Sequence, residues 1–292
     1  MKQLCSFQGF SLAIITTALL SGCGKVTTPV GTTSDSTSQN GIVHGKNIKG
    51  SDELGKSVVA LVGKKGQGQV LCTGTIIAPD TVLTAAHCVS EDIEKLTLVF
   101  APRIKGVRSE NLREATSAMA NPLWMKSEDP GEGDIALVHF AGGLPEGYAP
   151  VQLASPNLEL KNGTEVTMIG YGVTNGLEHK GAGLLRQTQS TIVGEKSPSE
   201  FVTDGHKSSV CFGDSGGPAF ALENGQQVQW GVAHSVSSQA CDDVAIHTSV
   251  MAYRAWISKA TTELRKTVGP QKLKGQKRKS GKSQEPSDDN ED

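Results

Sequence analysis

Short apolar runs rich in β-branched residues alternate along most of the chain with clusters of Gly, Pro, Asn and Asp. The runs at 57–62, 75–77, 82–84, 96–100, 135–140, 165–169, 219–222, 228–233 and 244–248 are each too short for a helix. Their spacing predicts antiparallel strands joined by turns, in a barrel or sandwich, because no long helical periods fall between them. One stretch differs. Over 250–264, Met251, Ala255, Trp256, Ile257 and Ala260 recur near every 3.6 residues and predict a C-terminal helix. At the start, Lys2 precedes an apolar run from Phe10 to Leu20, too short to span a bilayer but suited to a secretory signal over 1–22. Residues 23–41 continue as a Ser/Thr-rich linker or propeptide. Residues 265–292 carry 8 Lys/Arg and 5 Asp/Glu with almost no large apolar side chains, so a solvated, disordered tail is expected, with a patch for anionic lipid or polymer as the alternative.

These ends reduce 292 residues to one domain over 42–264, long enough for a sizeable core. Only 4% of residues are aromatic and 34 are Gly, which fits a loop-rich soluble protein and excludes a membrane bundle or coiled coil. Within 42–264, 18 Lys/Arg face 24 Asp/Glu; this acidic balance argues against nucleic acid as a partner.

The segment Leu20-Ser21-Gly22-Cys23 resembles the lipobox of bacterial lipoproteins, in which the cysteine is lipidated and begins the mature chain. The resemblance implies export and a lipid anchor at Cys23 in the cell envelope. Gly24, standing where an aspartate would favour the inner membrane, leans toward the outer one. An ordinary signal peptide with an incidental cysteine is the alternative. Cys5 leaves with the signal, and Cys72, Cys88, Cys211 and Cys241 remain, an even number compatible with three pairings in an exported domain. No C-x-x-C pair suggests a zinc or redox site.

The chemistry centres on Cys211-Phe212-Gly213-Asp214-Ser215-Gly216-Gly217-Pro218. A serine among glycines sits where backbone amides can approach a substrate carbonyl. Its hydroxyl needs an oriented base. His87, in Thr84-Ala85-Ala86-His87-Cys88, follows an apolar strand and is the best base; Asp134, in Gly133-Asp134-Ile135-Ala136-Leu137, stands at the mouth of a strand as the carboxylate behind it. Glu128, Asp129 and Glu132 read as solvated loop residues. His44, His139, His179 and His206 read as structural or surface residues, and Trp124, Trp230 and Trp256 as packing.

The order His, Asp, Ser is that of chymotrypsin-type proteases. With Ile42-Val43-His44-Gly45, Cys72-Thr73-Gly74-Thr75 and Gly170-Tyr171-Gly172, the sequence resembles the trypsin/chymotrypsin-like serine proteases over essentially all of 42–262. That resemblance implies an all-β fold of two packed six-stranded antiparallel β-barrels with a C-terminal helix and a cleft between the barrels. It also implies His87, Asp134 and Ser215 as triad, the amides of Gly213 and Ser215 as oxyanion hole, and disulfides Cys72–Cys88 and Cys211–Cys241. Protein or peptide substrates, no metal or organic cofactor, and a monomeric endopeptidase follow from it. A non-catalytic, surface-anchored binding module on the same fold is the competing reading.

In the family, cleavage before an Ile-Val pair frees an amine that pairs with the aspartate preceding the serine, here Ile42 and Asp214. Asn40-Gly41 replaces the usual Arg or Lys before the cut, so a trypsin-like activator does not fit. Cleavage there would also part the domain from Cys23 and secrete it; the alternative is that Ile42 is never freed. The pocket for the residue before the scissile bond is expected around Ser209, Val236 and Ala245. Without a carboxylate at Ser209, small or medium apolar residues are favoured over Arg or Lys. His234-Ser235-Val236 replaces the usual Ser-Trp-Gly, and a pocket for aromatic or Leu side chains stays open.

Overall fold

The computed structural model describes residues 42–48, 52–90, 93, 95–129 and 131–266. The signal, the linker with Cys23 and the tail beyond 266 lie outside these described residues. Thirteen strands and two α-helices follow in order: β1 (Lys46–Asn47), β2 (Val58–Lys65), β3 (Gly68–Ala78), β4 (Thr81–Thr84), β5 (Lys95–Val99), β6 (Leu112–Ala120), α1 (Pro122–Lys126), β7 (Ala136–Phe140), β8 (Glu165–Gly170), β9 (Arg186–Ser197), β10 (Glu200–Asp204), β11 (Pro218–Glu223), β12 (Gln226–Val236), β13 (Val244–Ser249) and α2 (Arg254–Lys266).

The strands close into two six-stranded antiparallel barrels. The first runs β2-β3-β4-β7-β6-β5; the second runs β9-β10-β13-β12-β11-β8 and closes through β8–β9, with β1 added at the edge of β9. Turn chemistry sets the register of two hairpins. Gly66, with φ 55°, lets two residues join β2 to β3, and Asn224-Gly225, with φ 51° and 79°, joins β11 to β12.

Each barrel has its own core, with Leu61, Leu83, Leu98 and Leu137 filling the first and Met168, Phe201, Trp230 and Ala245 the second. A third cluster joins them: Val58 and Val99 of the first barrel meet Ile169, Tyr171 and Phe220 of the second. Tyr171 crosses the seam, and its hydroxyl donates to Ala101 O at 2.9 Å.

The predicted helix is present but begins later, at Arg254, and extends through Lys266. Its buried residues are Ile257, Ala260 and Leu264, packed on the first barrel together with Tyr253, whereas Ala255 is exposed. Arg265 and Lys266 therefore belong to the helix and not to a tail, because the Arg265 guanidinium pairs with Asp80 at 2.7 Å and pins the last turn. Strands β1, β6, β9 and β10 fall outside the predicted runs.

Candidate active site

His87 lies on a turn over Ala86–Val89, just after β4. The Cys72–Cys88 disulfide ties this turn to β3, and the Cys211–Cys241 bridge ties the serine loop to the segment before β13; both are the pairings that the resemblance implies. Asp134 precedes β7 and is 1% exposed. Gly133, with φ 73°, turns the chain into it, and a Cβ there would lie 2.7 Å from Trp124 N. The Gly133 amide donates to Tyr253 Oη (3.0 Å) and Thr248 Oγ1 donates to Asp134 O (3.2 Å), so α2's approach and β13 hold the carboxylate in place.

That carboxylate grips His87 twice. The His87 amide donates to Oδ1 at 2.9 Å, and Nδ1–H donates to Oδ2 at 2.6 Å. Fixing the proton on Nδ1 leaves Nε2 with its lone pair, the tautomer a general base needs. Burial opposes charge on the ring, but the charge and hydrogen bond of Asp134 outweigh it and raise the His87 pKa above the usual histidine value. For Asp134, burial pushes upward, and the attraction and hydrogen bond of His87, with His234 and the His87 amide behind them, hold the carboxyl below its ordinary value.

Ser215 sits in a loop stitched to both barrels. Its carbonyl accepts from Thr73 N of β3 (2.8 Å), while Gly216 N donates to Ala233 O of β12 (2.7 Å). Ser215 O lies 3.6 Å from Cys88 Sγ, which brings the serine beside the His87 turn. Its Oγ makes no hydrogen bond to His87 among the described residues. Gly216, with φ 83°, has no room for a side chain, since a Cβ would strike Thr84 Oγ1 and the Thr73 carbonyl.

The peptide units on either side are held by their carbonyls. Phe212 O accepts from Val173 N (2.9 Å) and Asp214 O from Gly217 N (2.8 Å), which turns the amides of Gly213 and Ser215 the opposite way. Those two amides donate to no protein acceptor among the described residues. Two preset, unengaged donors beside a serine are what a developing oxyanion requires.

Beneath them, Asp214 is completely buried. Its Oδ1 accepts from Gly172 N at 2.7 Å and its Oδ2 from Cys211 N at 2.8 Å. Burial dominates these bonds and the attraction of Arg186, and the pKa is pushed up to about 7. A Cβ on either Gly170 or Gly172 would collide with this carboxylate, which explains the glycines of the Gly-Tyr-Gly segment. Ile42 is also fully buried, and Val43 forms an antiparallel bridge with Ser209, whose amide donates to Val43 O at 3.3 Å.

A cavity of about 210 Å³ opens beside the serine, lined by Val210, Cys211, Phe212, Ser215 and residues 233–236. Of the residues expected to shape the pocket, Val236 is on its wall. Ser209 and Ala245 are buried and do not line the cavity; Ala245 sits across the strand pair from Val236. Sequence reasoning missed Phe212 and Ala233 as lining residues, and it missed His234 as a neighbour of Asp134, with Nε2 3.6 Å from Oδ2. Its one signal was the departure from Ser-Trp-Gly. Ligand atoms of Cys72, His87 and Cys88 lie within 4.8 Å of one another, but both sulfurs are joined in the disulfide and offer no metal site.

The trypsin family model matches residues 42–257. The chain belongs to the trypsin family of serine proteases. Among characterised proteins it is similar to human granzyme M, 29% identical over 237 residues, covering 73% of this chain and 88% of that one. It is likewise similar to human chymotrypsin-like elastase family member 3A, 32% identical over 225 residues, covering 66% and 79%. The protease's two barrels and two disulfides agree with that membership.

Proposed function

We propose that this protease is an endopeptidase working through His87, Asp134 and Ser215. The observation that carries the reading is the His87–Asp134 pair: a 2.6 Å Nδ1–Oδ2 bond that frees Nε2 beside the loop bearing Ser215. In the proposed cycle, Ser215 Oγ attacks the scissile carbonyl and its proton passes to His87 Nε2. The oxyanion is received by the Gly213 and Ser215 amides. The imidazolium, supported by Asp134, then protonates the departing amine, and water repeats the sequence on the acyl-enzyme. Val236 on the cavity wall supports a preference for small or medium apolar residues before the scissile bond.

Activation by cleavage before Ile42 belongs to the same proposal. The buried Asp214 lacks a hydrogen-bonded cation among the described residues, and a freed Ile42 amine would supply one. With a lipid on Cys23, that cut would release an envelope-anchored precursor as a secreted enzyme.

Intact mass after fluorophosphonate treatment, with Ser215→Ala as control, tests these points together. Label on Ser215 in chains beginning at Ile42 is the expected result. Label on chains still beginning at lipidated Cys23 would overturn the release model, and no label on either would leave a non-catalytic binding module.

A further inference from the structure

His234 occupies β12 with its side chain 10% exposed, between two buried carboxylates. Nε2 faces Asp134 Oδ2 at 3.6 Å and Nδ1 faces Glu200 Oε1 at 3.6 Å. Gly131 makes the room: a Cβ there would lie 2.7 Å from His234 Cε1 and would strike Glu200 Oε1. Both approaches are too long for hydrogen bonds, yet close enough for a charge on the ring to act strongly on either carboxylate.

Neither carboxylate needs the ring as its main partner. Asp134 Oδ2 already takes the 2.6 Å bond from His87. Glu200, 1% exposed, takes Lys196 Nζ at 2.9 and 3.0 Å and Ser197 Oγ at 3.1 Å. The charged and titratable groups around the imidazole are Asp134 and His87, Asp129 through its contact with Lys196 at 3.4 Å, Lys196 from β9, Glu200 from β10 and His247 from β13. Burial first, opposed by Asp134 and Glu200 and aided by the positive charges of His87 and Lys196, holds the His234 pKa below the usual histidine value.

We propose that His234 is a positioning residue for the triad: it stays neutral as long as Lys196 compensates Glu200, and so leaves the full negative charge of Asp134 to His87. This rests on the triad reading above. Without Lys196, the buried Glu200 would draw a proton onto His234. The resulting imidazolium would compete with His87 for Asp134 Oδ2 and weaken support for the charged His87 that forms during catalysis. Because His234 also lines the substrate cavity, the network joins the cavity wall to the base.

The test follows the His87 ring nitrogens by ¹⁵N NMR against pH, alongside kcat and KM on a peptide substrate, in Lys196→Gln, Lys196→Arg and Lys196→Gln/His234→Gln. In Lys196→Gln the His87 midpoint should fall by about one unit and kcat by about tenfold, with KM little changed. Lys196→Arg should restore both, and the double variant should regain the wild-type midpoint. An unmoved midpoint in Lys196→Gln, or the same shift in the double variant, would overturn the proposal. The NMR midpoint reads the network without turnover, so a His87 shift in protein that takes no fluorophosphonate label would support the network while sinking the protease chemistry.

Discussion

At the scale of single residues, Asp214 shows how burial becomes pH dependence. Its folded pKa, about 7, lies above the unfolded value, so its stabilising contribution is complete below about pH 4 and is lost as pH rises through 7. The uncleaved chain should therefore melt at a higher temperature at pH 5 than at pH 8, as far as this group is concerned. Asp214→Asn should flatten that slope, although its amide nitrogen would face one of the two backbone donors at Gly172 and Cys211 and lose that bond. An unchanged slope would mean that the carboxylate is compensated in the intact chain. Gly172→Ala tests the space around the same group, because its Cβ would lie 2.5 Å from Asp214 Oδ2 and 2.8 Å from Asp214 N. Pushing that loop should disorder the two free amides and cost about a hundredfold in kcat/KM. That the His87 turn, Asp134 and the Ser215 loop come together was legible in the sequence because their flanking residues are distinctive. His234 was not, since its meaning comes from Asp134 and Glu200, which lie far from it along the chain and meet it only through the second barrel.

At the scale of elements, legibility followed unbroken apolar sequence, and β10, mostly buried but reading Glu-Phe-Val-Thr-Asp, was missed. Strands such as β7, buried along its whole length, read as apolar runs. Strand β6 has only partly buried or exposed positions, and β9 mixes Gln, Thr and Ser on both faces, so neither carries a strong period. For α2 the helical period was visible, but Ala255, counted in it, is exposed; the buried stripe is Ile257, Ala260 and Leu264, with Tyr253 just before the helix. Ile257→Ala should accordingly cost about 2–5 kcal/mol in thermal or denaturant unfolding, whereas Ala255→Ser should stay within about 0.5 kcal/mol. The Cys72–Cys88 bridge spans 16 positions and pins the His87 turn, so Cys72→Ser/Cys88→Ser should cost about 3 kcal/mol and lower kcat in the surviving folded enzyme. Unchanged kcat would show that β4 and Asp134 hold the histidine without the bridge.

At the scale of the whole molecule, the proposed triad draws His87 from the first barrel's turn, Asp134 from the approach to β7 and Ser215 from a loop of the second barrel. The raised His87 pKa sets the expected pH profile: kcat/KM should climb through a midpoint above 6.5 as the base loses its proton. Asp134→Asn should lower kcat by about 10⁴-fold, because the amide would favour the wrong ring tautomer. A midpoint below 6.5 in the wild type would contradict the dominance of Asp134 over burial. The Val43–Ser209 bridge has a mechanical side as well. A pull on the chain upstream of Ile42 would be met first by the buried Ile42 side chain and then by this single bridge, six residues from Ser215. If the protein is held at a surface by its N-terminal extension, tension on that tether would reach Ser209, the chain neighbour of Val210 on the cavity wall, and through it the loop that bears Ser215.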